Sequence, residues 1–174
     1  MATVPVPRTW TVGELLTAAK LNADLRNGLN FLLSGKPLAS LAKTTNQSVP
    51  NSTFTVVTWN SEIIDRDGGH DNATNNSRYT SQTAGWYRVV AHLVWNANFT
   101  AKIRQTNFVR SAAQAYFLTS GFGDADGNNG SSTAVGLIFL SVGDYLEVHG
   151  NQASGAALDI TAPNTHFDLE WTSS

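Results

Sequence analysis

The sequence predicts a mainly β protein: a jelly-roll β-sandwich preceded by an extended N-terminal arm and one short amphipathic helix. Three observations carry that prediction. Apolar residues alternate with period two over several short stretches after residue 38. Clusters of Asn, Gly, Asp and Ser separate those stretches, and helical periodicity is confined to one block before residue 36. The chain has 174 residues, enough for one ordinary domain and a short appendage. It divides near residue 36, giving an arm and helix over 1–36 and a β head over 37–174.

Residues 1–9 hold two of the five prolines and alternate Val with Pro, which favours an extended arm because Pro fixes φ and restricts the residue before it. Thr11-Val12-Gly13-Glu14 has the spacing of a capping box and predicts a helix start there, with Thr17 as a second candidate cap. Leu21, Leu25, Leu29 and Leu32 then recur at helical steps and form one stripe, with Asn22, Asp24, Arg26, Asn27 and Asn30 on the other faces. Ser34-Gly35-Lys36-Pro37 is a stop signal. Gly28 costs about 1 kcal/mol relative to Ala inside the helix, so the helix is not expected to stand alone. Its stripe needs a partner surface.

The β head follows. Phe54, Val56 and Thr58 alternate with Thr55, Val57 and Trp59. Tyr87, Val89, Ala91, Leu93 and Trp95 share one face of a strand over 86–95, and Phe99, Ala101 and Ile103 alternate with Thr100, Lys102 and Arg104. Further strands are expected over 115–122, 133–141, 145–152 and 166–171, the last with Phe167, Leu169 and Trp171 on one face. Polar spacers occupy 65–77, 123–132 and 154–164.

Composition narrows the function. Only 14% of residues are charged, and 11 basic against 13 acidic side chains leave a formal charge of −2. A chain so sparsely charged has no footprint for a nucleic-acid backbone and no polybasic membrane patch, so neither nucleic acid nor membrane is an expected partner. Cysteine is absent, which excludes disulfide scaffolds, zinc–thiolate sites and thiol catalysis. No apolar run is long enough to span a bilayer, and the start of the chain lacks a signal-peptide pattern, so export by the general route is not expected.

Candidate chemistry is thin. Asp124–Gly130 places oxygen ligands at alternate positions, but it lacks the glycine and distal glutamate of an EF-hand loop. Asp65–Asp71 is similar, and turn chemistry accounts for its Asp and Gly without a metal. His70, His92, His149 and His166 are widely spaced, and His92 shares its strand face with Arg88, Val90 and Val94 as a structural residue would. There is no Gly-x-Ser-x-Gly elbow, no His-Glu-x-x-His and no phosphate-cradling glycine loop. No enzyme, metal or cofactor is expected. Trp59, Trp86, Trp95 and Trp171 fall in strands and read as core or subunit-interface packing rather than a sugar-binding face.

Four landmarks carry a resemblance. They are Ala84-Gly85-Trp86-Tyr87-Arg88-Val89, the strand Asn98–Arg104, the strand start Val142-Gly143-Asp144-Tyr145-Leu146-Glu147-Val148, and the closing His166-Phe167-Asp168-Leu169-Glu170-Trp171. In this order, over about 45–172, they resemble the globular head of the complement/tumour-necrosis-factor superfamily, which implies a ten-strand jelly roll packed as a homotrimer. The N-terminal block, Arg8-Thr9-Trp10-Thr11-Val12-Gly13-Glu14 through Thr17-Ala18-Ala19, Leu21-Asn22, Leu25-Arg26 and Leu29–Leu33, is similar to the opening segment of many small structural proteins of phages infecting actinobacteria. Together the resemblances imply a virion protein on the exterior of the particle. The first expectation is a trimeric capsid decoration (minor capsid) protein that docks on the major capsid protein through Trp10, Leu21, Leu25, Leu29 and Leu32. The alternative is a tail or head-fibre tip protein that binds host surface glycan through loops 65–78 and 123–132. A depolymerase acting on the host envelope is the third, with no residue pattern in its favour.

Overall fold

The computed structural model describes residues 4–98, 103–111, 114–116 and 130–174. The expected calcium-like loop 124–130, most of spacer 123–132 and the greater part of the strands expected at 98–104 and 115–122 lie outside these residues.

The arm runs without regular structure to a turn at Thr11–Glu14, where the Glu14 amide donates to the Thr11 carbonyl at 3.1 Å and Gly13 takes a φ of +82°. The Glu14 carboxylate accepts from the Thr11 amide at 3.3 Å, so the box-like spacing closes this turn and not a helix. The helix starts later. Thr17 is its cap, extended in backbone and accepting from the Lys20 amide at 3.3 Å through Oγ1. One continuous helical run, α1 (18–35), follows: α-helical turns at Ala18–Leu21 and Asn27–Asn30 alternate with wider π-helical turns at Asn22–Arg26 and Phe31–Gly35. Lys36 is extended and ends it just before Pro37.

Among the described residues the head has twelve strands: β1 (Leu38–Ala42), β2 (Gln47–Val49), β3 (Thr55–Val56), β4 (Ser61–Asp65), β5 (Arg78–Thr80), β6 (Gly85–Trp95), β7 (Arg104–Arg110), β8 (Gln114–Tyr116), β9 (Gly130–Leu140), β10 (Tyr145–Gln152), β11 (Leu158–Ile160) and β12 (His166–Ser173). They make two antiparallel sheets. In the first, β6 pairs with β9 along its whole length on one edge and with β12 and β11 on the other, and the sheet continues from β12 to β1 and β4 and from β11 to β2. In the second, β10 pairs with β7 on one edge and with β5 and β3 on the other, and β8 extends β7. Strands adjacent in space but distant in sequence, such as β6 beside β12, are the mark of a jelly roll rather than a meander.

The core lies between the sheets. Tyr87, Val89, Ala91, Leu93 and Trp95 all point inward from β6, as the period-two pattern predicts, and Phe167, Leu169 and Trp171 do so from β12. Trp59 tilts against Phe167 at 5.7 Å, and Phe108 meets the other side of Phe167 at 5.9 Å. Fully burying each such side chain contributes on the order of 2–3 kcal/mol. Phe54 differs from Val57 and Trp59: it is exposed, and only Thr55–Val56 of that stretch is strand. Strands β1, β2, β4, β5 and β11 are too short for the sequence pattern to predict them individually, and β7 runs from Arg104 to Arg110, beyond the alternating stretch 99–104.

Lys43 is the deepest cation with a full set of partners. Its Nζ donates to the Thr58 carbonyl at 2.7 Å, to Gln47 Oε1 at 3.0 Å and to Thr58 Oγ1 at 3.4 Å. Burial lowers its pKa to about 8.

Candidate functional site

The helix turns the wrong way for a folded monomer. Its inward-facing positions are Thr17, Lys20, Asp24, Gly28, Phe31 and Gly35, a polar and small-residue stripe in which Phe31 alone is buried. The leucine stripe faces solvent: Leu21, Leu25, Leu29 and Leu32 are 37%, 56%, 57% and 61% exposed. Leu15, Leu16 and Leu33 add to this surface, and Trp10 is exposed on the preceding arm with the Arg8 guanidinium 5.4 Å from its ring. An amphipathic helix ordinarily lays its apolar stripe on its own core. Here one aromatic fastens it. Phe31 meets Trp171 edge-on at 5.2 Å and 86°, with Trp171 fixed by its Nε1–H donating to the Ala84 carbonyl at 3.1 Å.

The arm braces the same junction. Val4 packs against the core, and Arg8 Nε lies 2.7 Å from the Asp24 carboxylate. Lys36 reaches Glu170 of β12 at 3.3 Å. Arm, helix and the end of β12 enclose an open, mainly apolar groove of about 470 Å³ that includes Val4, Pro7, Leu25, Leu29, Leu32 and Trp171. All five sequence-predicted docking residues are thus exposed side chains, and three of them, Leu25, Leu29 and Leu32, line the groove.

A second apolar surface covers the outer face of the first sheet. The pairs Trp86↔Phe139, Arg88↔Leu137 and Val90↔Val135 lie across β6 and β9. Trp86, Val135, Leu137 and Phe139 are exposed, and Trp86 meets Phe139 edge-on at 5.6 Å. Contiguous apolar surface of this kind marks an interaction site on a soluble protein. Of the four tryptophans expected in strands, Trp59 lies instead in the connection between β3 and β4; it is core, as are Trp95 and Trp171, and Trp86 is presented outward.

The same face carries a polar row. His92 and His166 lie opposite one another on β6 and β12 with ring centroids 5.4 Å apart. His92 Nδ1 contacts Thr133 Oγ1 at 2.8 Å, and His166 Nε2 is 3.4 Å from Asp168, which also accepts from the Ser40 hydroxyl at 2.6 Å. Partial burial, reinforced by His166, lowers the pKa of His92.

The acidic segment 65–71 resolves into turn chemistry. Asp65 accepts from the Gly68 and His70 amides at 3.1 and 2.8 Å, and Asp71 accepts from the Ala73 and Thr74 amides at 2.8 and 3.0 Å. Asp67 takes both its contacts from the Tyr79 hydroxyl at 2.9 and 2.8 Å, and burial raises its pKa. The three carboxylates serve three different sets of donors. Among the described residues no three His, Asp or Glu side chains converge as a metal site, and no helix is long and apolar enough to cross a membrane.

No family model matches the chain, and none of the curated proteins does. Solved structures do. Murine APRIL aligns with a TM-score of 0.59 at 15% identity, over 79% of this chain and 99% of that one. The globular domain of the zebrafish complement 1qA protein aligns with a TM-score of 0.58 at 14% identity, over 80% and 99%. The Eiger TNF structure from S. frugiperda gives 0.53 at 13%, over 80% and 94%. The head therefore has the jelly-roll fold of tumour-necrosis-factor and complement heads, and no catalytic family is indicated.

Proposed function

We propose that this is a non-enzymatic structural protein of a phage particle, a homotrimer mounted on the exterior as a capsid decoration protein. One observation carries the reading: four leucines of a continuous helix face solvent while the helix shows its polar stripe to its own head. A fold that buries Trp59, Trp95 and Phe167 completely has no difficulty in hiding leucines, so a surface left bare at this scale is one that another molecule covers.

The two apolar surfaces divide the work. The outer face of β6 and β9, with Trp86, Val135, Leu137 and Phe139, joins the copies of the trimer that the sequence resemblance implies. The segment 4–35, through Trp10, Leu21, Leu25, Leu29 and Leu32, docks on the major capsid protein. Phe31 against Trp171 holds the docking segment at a set angle to the head, and the Arg8–Asp24 pair adds direction. Covering the leucines removes apolar area from water at about 25 cal/mol per Å². The low charge of the head (14% charged residues in the chain) suits a surface repeated many times on one particle.

The test is copy number per virion, by quantitative mass spectrometry against the major capsid protein. A number comparable to that of the capsid protein supports decoration. A handful of copies moves the protein to a tail or fibre tip, and absence from purified particles overturns the reading altogether.

A further inference from the structure

His92 and His166 bring two titratable rings to the sheet face that also carries Trp86, Val135, Leu137 and Phe139. Their strands set them directly opposite one another, with ring centroids 5.4 Å apart and planes 33° from parallel. Such a pair holds one charge without conflict and two with difficulty, because like charges at this separation repel.

The surroundings select the ring that holds the first charge. Both nitrogens of His166 face groups that only accept: Nδ1 lies 3.3 Å from the Asn164 carbonyl and Nε2 lies 3.4 Å from the Asp168 carboxylate. The cationic ring, a donor at both nitrogens, serves both. His92 is placed differently. Its Nδ1 meets the Thr133 hydroxyl at 2.8 Å, a partner that suits the neutral ring in either tautomer. Partial burial, and then His166, hold its pKa below the ordinary value. The other neighbours do little to offset a charge there. Among the described residues β9 brings no titratable group to this face. On β12, Asp168 is engaged by His166 and the Ser40 hydroxyl, and Glu170 by Lys36. On β11, the Asp159 carbonyl accepts from the Asn96 amide at 2.9 Å, past the end of β6, and β6 itself adds the like charge of Arg88.

His92 also lies within reach of the apolar contact. Trp86, Arg88, Val90 and His92 are successive outward positions of β6, which puts His92 about 14 Å along the strand from Arg88. A specific contact buries about 800 Å² per partner, a disc of roughly 16 Å radius. Centred on the Arg88↔Leu137 pair, where the exposed apolar side chains gather, such a contact covers His92. Covering a partly buried ring removes the water that would solvate its charge and leaves His166 beside it.

We propose that the His92–His166 pair is an acid switch for assembly: protonation of His92 drives apart the copies joined through the outer face of β6 and β9. This rests on the reading of that face as the contact between copies. The separated chain binds the His92 proton more tightly than the assembled one. Assembly is therefore strongest above the pKa of His92 in the separated chain and weakens as pH falls through it, below about 6.5. A tenfold difference in proton affinity weakens assembly by about tenfold per copy, and by about 1,000-fold for three copies.

The test is sedimentation velocity of the full chain over a concentration series at pH 7.5 and 5.0, with near-UV circular dichroism reporting at each pH that the head is folded. Wild type is expected to be trimeric at pH 7.5 and to dissociate at concentrations at least about tenfold higher at pH 5.0. His92→Gln, which keeps a partner for the Thr133 hydroxyl and takes no charge, should associate equally at both. Where that variant does not fold, NMR of the His92 ring in the wild-type chain replaces it, and dissociation must then follow its protonation. A trimer equally tight at both pH values, a variant as acid-sensitive as wild type, dissociation that does not follow His92, or loss of the folded signal before dissociation overturns the switch and leaves the contact face standing. A monomer at pH 7.5 overturns the contact itself, and the switch with it.

Discussion

Replacing Phe31 by Ala should release the helix while leaving the head folded. Phe31 is the one buried side chain of 18–35, and its ring is spent on a single edge-on contact with Trp171. Losing that burial costs about 2–3 kcal/mol, and losing the aromatic pair costs about 0.5–1.5 kcal/mol more. What remains between helix, arm and head includes Arg8–Asp24 and Lys36–Glu170, both partly solvated and worth at most about 1 kcal/mol each. An isolated helix of this length with a central glycine is marginal in water. The docking equilibrium therefore shifts by roughly 100- to 1,000-fold. Native-state hydrogen exchange reads this directly: amides of 18–35 should lose protection by that factor while those of β6, β10 and β12 keep theirs. Helix amides that stay protected would show that some other contact holds the segment. Protection lost equally in β6 and β12 would show that segment and head unfold as one unit, and the division of labour drawn above would fall.

Other outcomes follow from the same coordinates. Leu25→Asp, at a side chain already more than half exposed, should change the melting temperature little yet abolish incorporation into particles in a complementation assay; normal incorporation refutes the docking role. Leu137→Glu on the outer sheet face should convert the proposed trimer to monomer by analytical ultracentrifugation, and an unchanged mass would clear that face of the assembly role. Gly85→Ala should lower the melting temperature by several degrees, because φ is +151° there and a β-carbon would stand 2.2 Å from Trp171 Nε1 and 2.4 Å from the Ser173 carbonyl. Lys43 sets a pH dependence. Its folded pKa of about 8 lies below the 10.5 of a solvated lysine, so between those values the unfolded chain holds the extra proton and stability rises with pH. The slope from this group is at most about 1.4 kcal/mol per pH unit, and urea unfolding at pH 7.5 and 9 should show a rise that Lys43→Met removes.

How much of this was legible in the sequence depends on length and on partners. β6 and β10 were readable because eleven and eight residues of alternation overdetermine which face is buried. β1 offers only Ala39 and Leu41 as inward positions, and β11 is three residues inside a spacer of Ser, Gly, Ala and Pro, so neither carries enough period to be seen. Thr11–Glu14 misled for a related reason: the capping spacing is local chemistry that closes a turn as well as it opens a helix. The histidine pair left no trace, since His92 and His166 become neighbours only through the pairing of β6 with β12, a tertiary fact.

The leucine stripe is the informative case, because its existence was legible and its direction was not. Period two places apolar residues where a second sheet, also encoded in the chain, comes to cover them; the inward residues of β6 and β12 are all covered that way. Helical period at 21–32 places leucines with equal clarity, but the helix meets the end of β12 through Phe31 against Trp171, not through that stripe. Its other side is left to solvent. A hydrophobic pattern specifies that a surface be covered and does not say by what. In the head the cover is intramolecular and the pattern reads as fold; in 4–35 no part of the described chain covers the leucines, and the same residue type at a different period reads as assembly.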